Sequence, residues 1–212
     1  WTRVADLSAA KAAVMADPAY AALIDPEQIS AVGFSYGGWT ALSAGGLGGN
    51  LAGYADHCAT VDSSTHCADL ARWGFDFAAA DPAAWDASYR MAEVGRVVAI
   101  DPGLTWGVSD VTGLAVPALL VGLGEGEDRL VATDTTDQGS GLASRLLAAR
   151  PDTKVVEIAP AAHFTMLPEC SDKGAAILED EGDDPVCTDP AGTDRGAVHD
   201  RVVAEIAGFL GL

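Results

Sequence analysis

Short apolar runs separated by helix-length segments recur along this chain, and that alternation leaves few folds open. Residues 29–34 read Ile-Ser-Ala-Val-Gly-Phe, and residues 97–100, 116–121 and 155–159 are apolar runs of similar length. Each is expected to be a short buried strand. The segments between them differ in kind. Residues 6–16 are Ala-rich with no breaker before Asp17-Pro18, residues 37–44 are mostly small, and residues 142–149 contain neither Gly nor Pro. All three suit helices, and a turn is expected at Asp25-Pro26. Within residues 197–210, Val198, Val202, Ile206 and Phe209 recur at helical spacing, which predicts an amphipathic helix closing over a sheet. Strands joined by helices pair in parallel, so the expected class is α/β.

A chain of 212 residues, 49% of them apolar, can bury one sizeable core, so residues 1–212 are read as a single domain. The Gly-rich run 45–53 and the aromatic residues Trp73, Phe75, Phe77, Trp85 and Tyr89 interrupt the alternation. Residues 54–93 are therefore either a cap over a pocket or a small local core. Twelve Lys and Arg stand against 31 Asp and Glu, a net charge of -19 that argues against nucleic acid and anionic membranes as partners. No apolar run approaches bilayer length, so a soluble protein is expected. The acidic stretch 179–184 reads as a solvated loop.

Cys58 with Cys67 and Cys170 with Cys187 form two local pairs across polar segments. Two short-range disulfides are the natural reading, which implies a secreted or periplasmic protein. Trp1 is not an initiator Met and no charged-then-apolar leader follows it, so any signal peptide is expected to have been removed or to lie outside this sequence. Zinc is a rival use of the repeated His57-Cys58 and His66-Cys67 steps. Structural zinc sites bring ligands in closer pairs than these, so no metal and no other cofactor is expected.

The segment Gly33-Phe34-Ser35-Tyr36-Gly37-Gly38 follows the first expected strand and opens a helix of small residues. A Gly-x-Ser-x-Gly step in that context presents the Ser hydroxyl on a strained strand-to-helix turn, where flanking glycines relieve crowding. The backbone N–H of Tyr36 would then point at a developing oxyanion. An ordinary Gly-rich turn is the bland alternative.

A Ser nucleophile needs a base, and His163 follows the strand 155–159 directly in Pro160-Ala161-Ala162-His163-Phe164. His199 falls inside the closing helix and reads as structural, while His57 and His66 flank the cysteines in an expected loop. The third member should be an acid between Ser35 and His163 in the chain. Asp101 ends the strand 97–100 before Pro102-Gly103; Asp128 lies in Glu125-Gly126-Glu127-Asp128 after the next strand. An acid ending a buried strand needs a partner to offset its desolvation, which favours Asp101 and leaves Asp128 as the alternative. Trp39 and Trp106 could wall a substrate pocket or simply pack.

Over nearly its whole length the sequence resembles the bacterial dienelactone-hydrolase-like proteins of the α/β-hydrolase superfamily, related to platelet-activating-factor acetylhydrolases. The likeness rests on Asp25-Pro26-Glu27-Gln28-Ile29 leading into the Ser35 segment, on Ala99-Ile100-Asp101-Pro102-Gly103, and on Ala162-His163-Phe164 followed by Leu167-Pro168-Glu169-Cys170. Asp194-Arg195 with His199 is similar too. The resemblance implies an α/β-hydrolase-type parallel sheet with flanking helices, and an acid at Asp101. True dienelactone hydrolases use a Cys nucleophile, so Ser35 points to ester hydrolysis instead.

The family places several strands, and the loop giving a second oxyanion N–H, ahead of its nucleophile, whereas here the nucleophile stands at position 35. The N-terminal strands of the fold are thus expected from a separate segment or a second chain pairing with strand 29–34, or the chain is a fragment. The leading reading is a carboxylic-ester hydrolase acting on a small ester. Alternatives are a prolyl-oligopeptidase-type serine peptidase, a polyester hydrolase acting on a polymer chain, and a truncated, non-catalytic hydrolase domain.

Overall fold

Branched apolar side chains favour extended backbone, and the four runs rich in them pair one after another along the chain. The computed structural model describes residues 2–60, 65–181 and 184–212. Its strands are β1 (Ile29–Phe34), β2 (Val94–Ile100), β3 (Ala118–Leu123) and β4 (Lys154–Ile158), in the spatial order β1-β2-β3-β4. Every neighbouring pair is parallel, with Phe34 opposite Ile100, Ile100 opposite Val121 and Leu123 opposite Ile158. The class is α/β.

Parallel neighbours require the chain to cross back, and helices make most of the crossings. Before β1 come α1 (Thr2–Ala16) and α2 (Pro18–Ala21). Between β1 and β2 lie α3 (Tyr36–Ala44), α4 (Leu51–Thr60), α5 (Thr65–Arg72) and α6 (Pro82–Asp86). Then α7 (Leu142–Ala149) precedes β4, and α8 (Asp172–Glu181) and α9 (Arg195–Leu210) follow it.

The strand period of two divides the core into two layers. Val97, Ala99, Ala118 and Leu120 meet Leu42 of α3 with Leu142 and Leu146 of α7 on one face. Val98, Ile100, Leu119 and Val121 meet Val198, Val202 and Phe209 of α9 on the other. Each fully buried aliphatic side chain is worth about 1.5–3 kcal/mol, so the sheet is held from both sides by burial rather than by surface ion pairs. β1 is different. Among the described residues it pairs only with β2, and Val32 is 49% exposed.

Several boundaries differ from the sequence reading for identifiable reasons. β3 begins at Ala118 rather than at residue 116. Pro117 has no N–H to give the ladder, so pairing begins after it. α1 starts at Thr2, and α3 takes in Tyr36, because the turn at Ser35 feeds straight into helix. His57 and His66, expected in a loop, lie on α4 and α5 and are buried. Residues Glu179 to Glu181 of the acidic stretch belong to α8; Gly182 and Asp183 lie outside the described residues.

Both cysteine pairs are bonded, Cys58–Cys67 with Cα atoms 5.2 Å apart and Cys170–Cys187 with Cα atoms 5.7 Å apart. Among the described residues no helix is long and apolar enough to cross a membrane. The aromatic stretch is divided between roles. Phe77 and Trp85 pack around Tyr54 of α4, whereas Trp73 is exposed.

Candidate active site

The segments that follow β1, β2 and β4 bring the side chains of Ser35, Asp101 and His163 to one place. Ser35 follows β1 at φ 55°, ψ −121°, a backbone region that a residue with a Cβ adopts only under constraint. The constraint is local hydrogen bonding: its N–H donates to Ile100 O (2.9 Å), and its carbonyl accepts from Gly103 N (3.2 Å) and Trp39 N (3.3 Å). A Cβ at Gly33 would lie 2.0 Å from Gly37 O, and one at Gly38 would lie 3.0 Å from Pro102 Cβ. Gly37 is open to a side chain, with nothing within 4 Å of an added Cβ.

Asp101 directly follows β2 and is fully buried. Burial of a carboxylate is costly unless its lone pairs are filled, and here they are. Oδ1 accepts from Leu123 N (3.0 Å), while Oδ2 accepts from Thr133 Oγ1 (2.7 Å) and His163 Nδ1 (2.6 Å). His163 opens a short 3-10 turn after β4, with its ring stacked 4.6 Å from that of Phe34. Its Nε2 stands 3.0 Å from Ser35 Oγ. With the proton on Nδ1 facing the carboxylate, Nε2 is left as the acceptor for the Ser hydroxyl.

Asp128 takes no part in this chain. It is exposed in the 3-10 turn after β3, and the imidazole bonds Asp101 instead. Tyr36 opens α3, so its N–H has no carbonyl within the helix to bond and lies beside Ser35. Trp39 and Trp106 are placed elsewhere. Trp39 sits one helical turn beyond Ser35 and lines a separate cavity of about 200 Å³ with Trp85, Tyr89 and Leu104. The Trp106 Nε1 donates to Val131 O (2.9 Å), and its ring stacks on His57 at 4.0 Å.

The cleft that holds Ser35 and His163 is smaller, about 120 Å³, and its other walls include Tyr36, Thr133, His66 and Asp69. Ser35, His163 and Asp101 converge at this cleft, whereas none of the three lines the larger cavity, so this cleft is the candidate site. Burial pushes the Tyr36 phenol up to about 12, aided by Asp69 and opposed by Arg3, whose guanidinium lies 5.4 Å from the ring centre. The phenol is therefore a neutral group at the cleft. Sequence reasoning missed Thr133, Phe34, His66 and Asp69. Among the described residues, no group of three or more His, Cys, Asp or Glu side chains is placed to hold a metal ion.

His66 carries a pH dependence. Its Nδ1 bonds the Tyr54 hydroxyl, and burial lowers its pKa to about 4, with Asp69 opposing and His57 adding to the shift. His57, also lowered by burial, has no hydrogen-bond partner on either ring nitrogen among the described residues. Because the folded state holds the proton less tightly, the unfolded chain binds more protons below its own pKa of about 6.5. The stability of α4 and α5 should be full above that pH and fall as pH drops towards 4. Melting temperature measured across this window should decline, and His66→Gln should flatten the decline; a wild-type curve of the same slope as the variant would refute the assignment.

Comparison of the chain with protein-family models, with curated proteins and with solved structures found no match.

Proposed function

We propose that this protein is a serine hydrolase of the α/β-hydrolase type that cleaves carboxylic esters. The observation that carries the reading is the continuous chain from Ser35 Oγ through both ring nitrogens of His163 to the buried Asp101 carboxylate. Free Ser hydroxyls are poor nucleophiles, and this arrangement removes the proton as attack occurs. Ser35 Oγ adds to the ester carbonyl while His163 Nε2 takes its proton, and Asp101 stabilises the imidazolium. The tetrahedral oxyanion faces the Tyr36 N–H at the start of α3. Collapse expels the alcohol, which takes the proton from His163, and leaves an acyl-enzyme on Ser35. Water then attacks the acyl carbon with His163 as base, releasing the acid.

A cleft of about 120 Å³ supports a small acyl group. The two disulfides support an oxidising, exported setting. An unpaired strand edge is a template for another strand, so the free edge of β1 supports pairing with a further strand from another segment or chain.

The deciding experiment treats the protein with a fluorophosphonate probe and, in parallel, with p-nitrophenyl acetate, a dipeptidyl anilide and a polyester film. The expected result is covalent labelling of Ser35 in the wild type and none in Ser35→Ala or His163→Ala, with turnover of the short ester alone. No label on Ser35, or ester turnover unchanged in both variants, overturns the reading. Turnover of the anilide or the film would redirect the substrate class.

A further inference from the structure

His163 stands in a four-residue 3-10 turn rather than on a strand or a long helix, yet its ring bridges Ser35 and Asp101. What fixes the turn is a buried polar relay. Thr165 is fully buried, and its hydroxyl accepts from the backbone N–H of Ala162 (2.9 Å), the residue before His163. The same hydroxyl donates to Asp189 Oδ1 (2.6 Å). Asp189 is gripped at both oxygens by Arg195, Nε to Oδ2 at 2.9 Å and Nη2 to Oδ1 at 3.0 Å.

Arg195 is the first residue of α9 and is itself buried. Its remaining donors go to the carbonyls of Pro168 (3.1 Å), Leu167 (3.3 Å) and Val186 (3.0 Å). One turn on, His199 Nε2 donates to Thr165 O (2.6 Å). Burial raises the Asp189 pKa, but hydrogen bonds from Arg195 and Thr165, with the charges of Arg195 and His199, outweigh it and hold the carboxyl below its usual range. The relay thus stays ionised and joined.

We propose that Asp189 and Arg195, acting through Thr165, are positioning residues that set the His163 ring against Ser35 and Asp101. The kinetic part of this proposal rests on the hydrolase reading; the geometric part does not. The planar guanidinium meets a carboxylate bidentately, fixing direction as well as distance, which a Lys ammonium cannot do. None of these groups lines the Ser35 cleft, so they touch no substrate there. Their effect passes through the turn. A displacement of about 1 Å at a reacting group can cost about a hundredfold in rate.

The test uses the full chain with Thr165→Val, which removes the hydroxyl at nearly constant volume, and Thr165→Ser, which restores it. Asp189→Asn and Arg195→Lys are made alongside, so that failure of one variant to fold leaves the others to decide. Two readouts are taken: kcat and KM on p-nitrophenyl acetate, and the His163 ring resonances by NMR, assigned by their loss in His163→Ala. Thr165→Val, Asp189→Asn and Arg195→Lys should each lower kcat by about tenfold to a hundredfold with KM within about twofold, and should move the ring resonances. Thr165→Ser should recover kcat to within about threefold and restore the resonances. In an active protein, any other combination overturns the proposal, including a loss of kcat with the ring unmoved. If the wild type proves inactive, the hydrolase reading fails, and the resonances alone decide the relay: moved in the folded variants supports it, unmoved overturns it.

Discussion

Asp101→Asn will lower kcat by about ten-thousandfold, the scale on which loss of the orienting carboxylate acts in Ser-His-Asp sites. The Asp101 Oδ2 atom that meets His163 Nδ1 also receives the Thr133 hydroxyl, and Oδ1 is occupied by Leu123 N. An amide keeps the shape of this arrangement but changes what it can donate. If the Asn oxygen stays on Leu123 N, its NH₂ faces Nδ1 and donates to it. The ring must then carry its proton on Nε2, where it can no longer accept the proton of Ser35. KM on p-nitrophenyl acetate should change little, since Asp101 is buried away from the cleft. Asp128→Asn should leave turnover within about twofold, because an exposed acid in a turn holds no tautomer. A large loss in Asp128→Asn with activity retained in Asp101→Asn would reverse the assignment.

Gly33→Ala should cost about 3–5 kcal/mol of stability and remove turnover, whereas Gly37→Ala should leave both nearly intact. The two glycines look equivalent in the motif, but their surroundings are not. A methyl at Gly33 would stand 2.0 Å from Gly37 O and 2.2 Å from Gly37 C, and neither is the movable end of a side chain. Accommodating it means pulling β1 away from the first turn of α3, which displaces Ser35. At Gly37 the methyl meets nothing within 4 Å, and the residue is helical. Alanine there should stabilise the helix by about 0.5–1 kcal/mol. Chemical denaturation of both variants, with p-nitrophenyl acetate turnover in native buffer, checks the pair; equal stability losses would refute the steric account.

The strands, the closing helix and both cysteine pairs were legible because each is a local pattern: an apolar run, a helical period, two cysteines across a short segment. Ser35, Asp101 and His163 were legible for a related reason. Each follows an apolar run directly, so one rule about where strands end places all three at the same edge of the sheet. The surroundings were not legible in this way. Thr133 meets Asp101 from 32 positions along the chain, and Thr165 meets Asp189 from 24 positions away. Nothing in the local sequence around either threonine marks a partner.

The helices bearing His57 and His66 were hidden for another reason. Leu51, Tyr54 and His57 recur every third residue and are the buried positions of α4, but a pattern that counts His as polar breaks at the third. Burial of that imidazole is made possible by the face of Trp106, a ring brought from beyond β2. Trp39 was read either as a wall of the substrate pocket or as ordinary packing. Four residues of helix carry it one turn away, into a different hollow.

Ser35, Asp101 and His163 issue from three different strands, while β3 lends Leu123 N to the carboxylate. The three side chains are therefore anchored to the scaffold at separate points, and Thr133 of the cleft wall is one of the anchors. Loops set on a rigid framework tolerate change better than the framework does. Among the described residues, the segment carrying α4 and α5 supplies His66 and Asp69 to the wall of the cleft, but no hydrogen bond to Ser35, Asp101 or His163. A change confined to that segment would therefore reshape one wall of the cleft and leave the hydrogen bonds among Ser35, His163 and Asp101 in place.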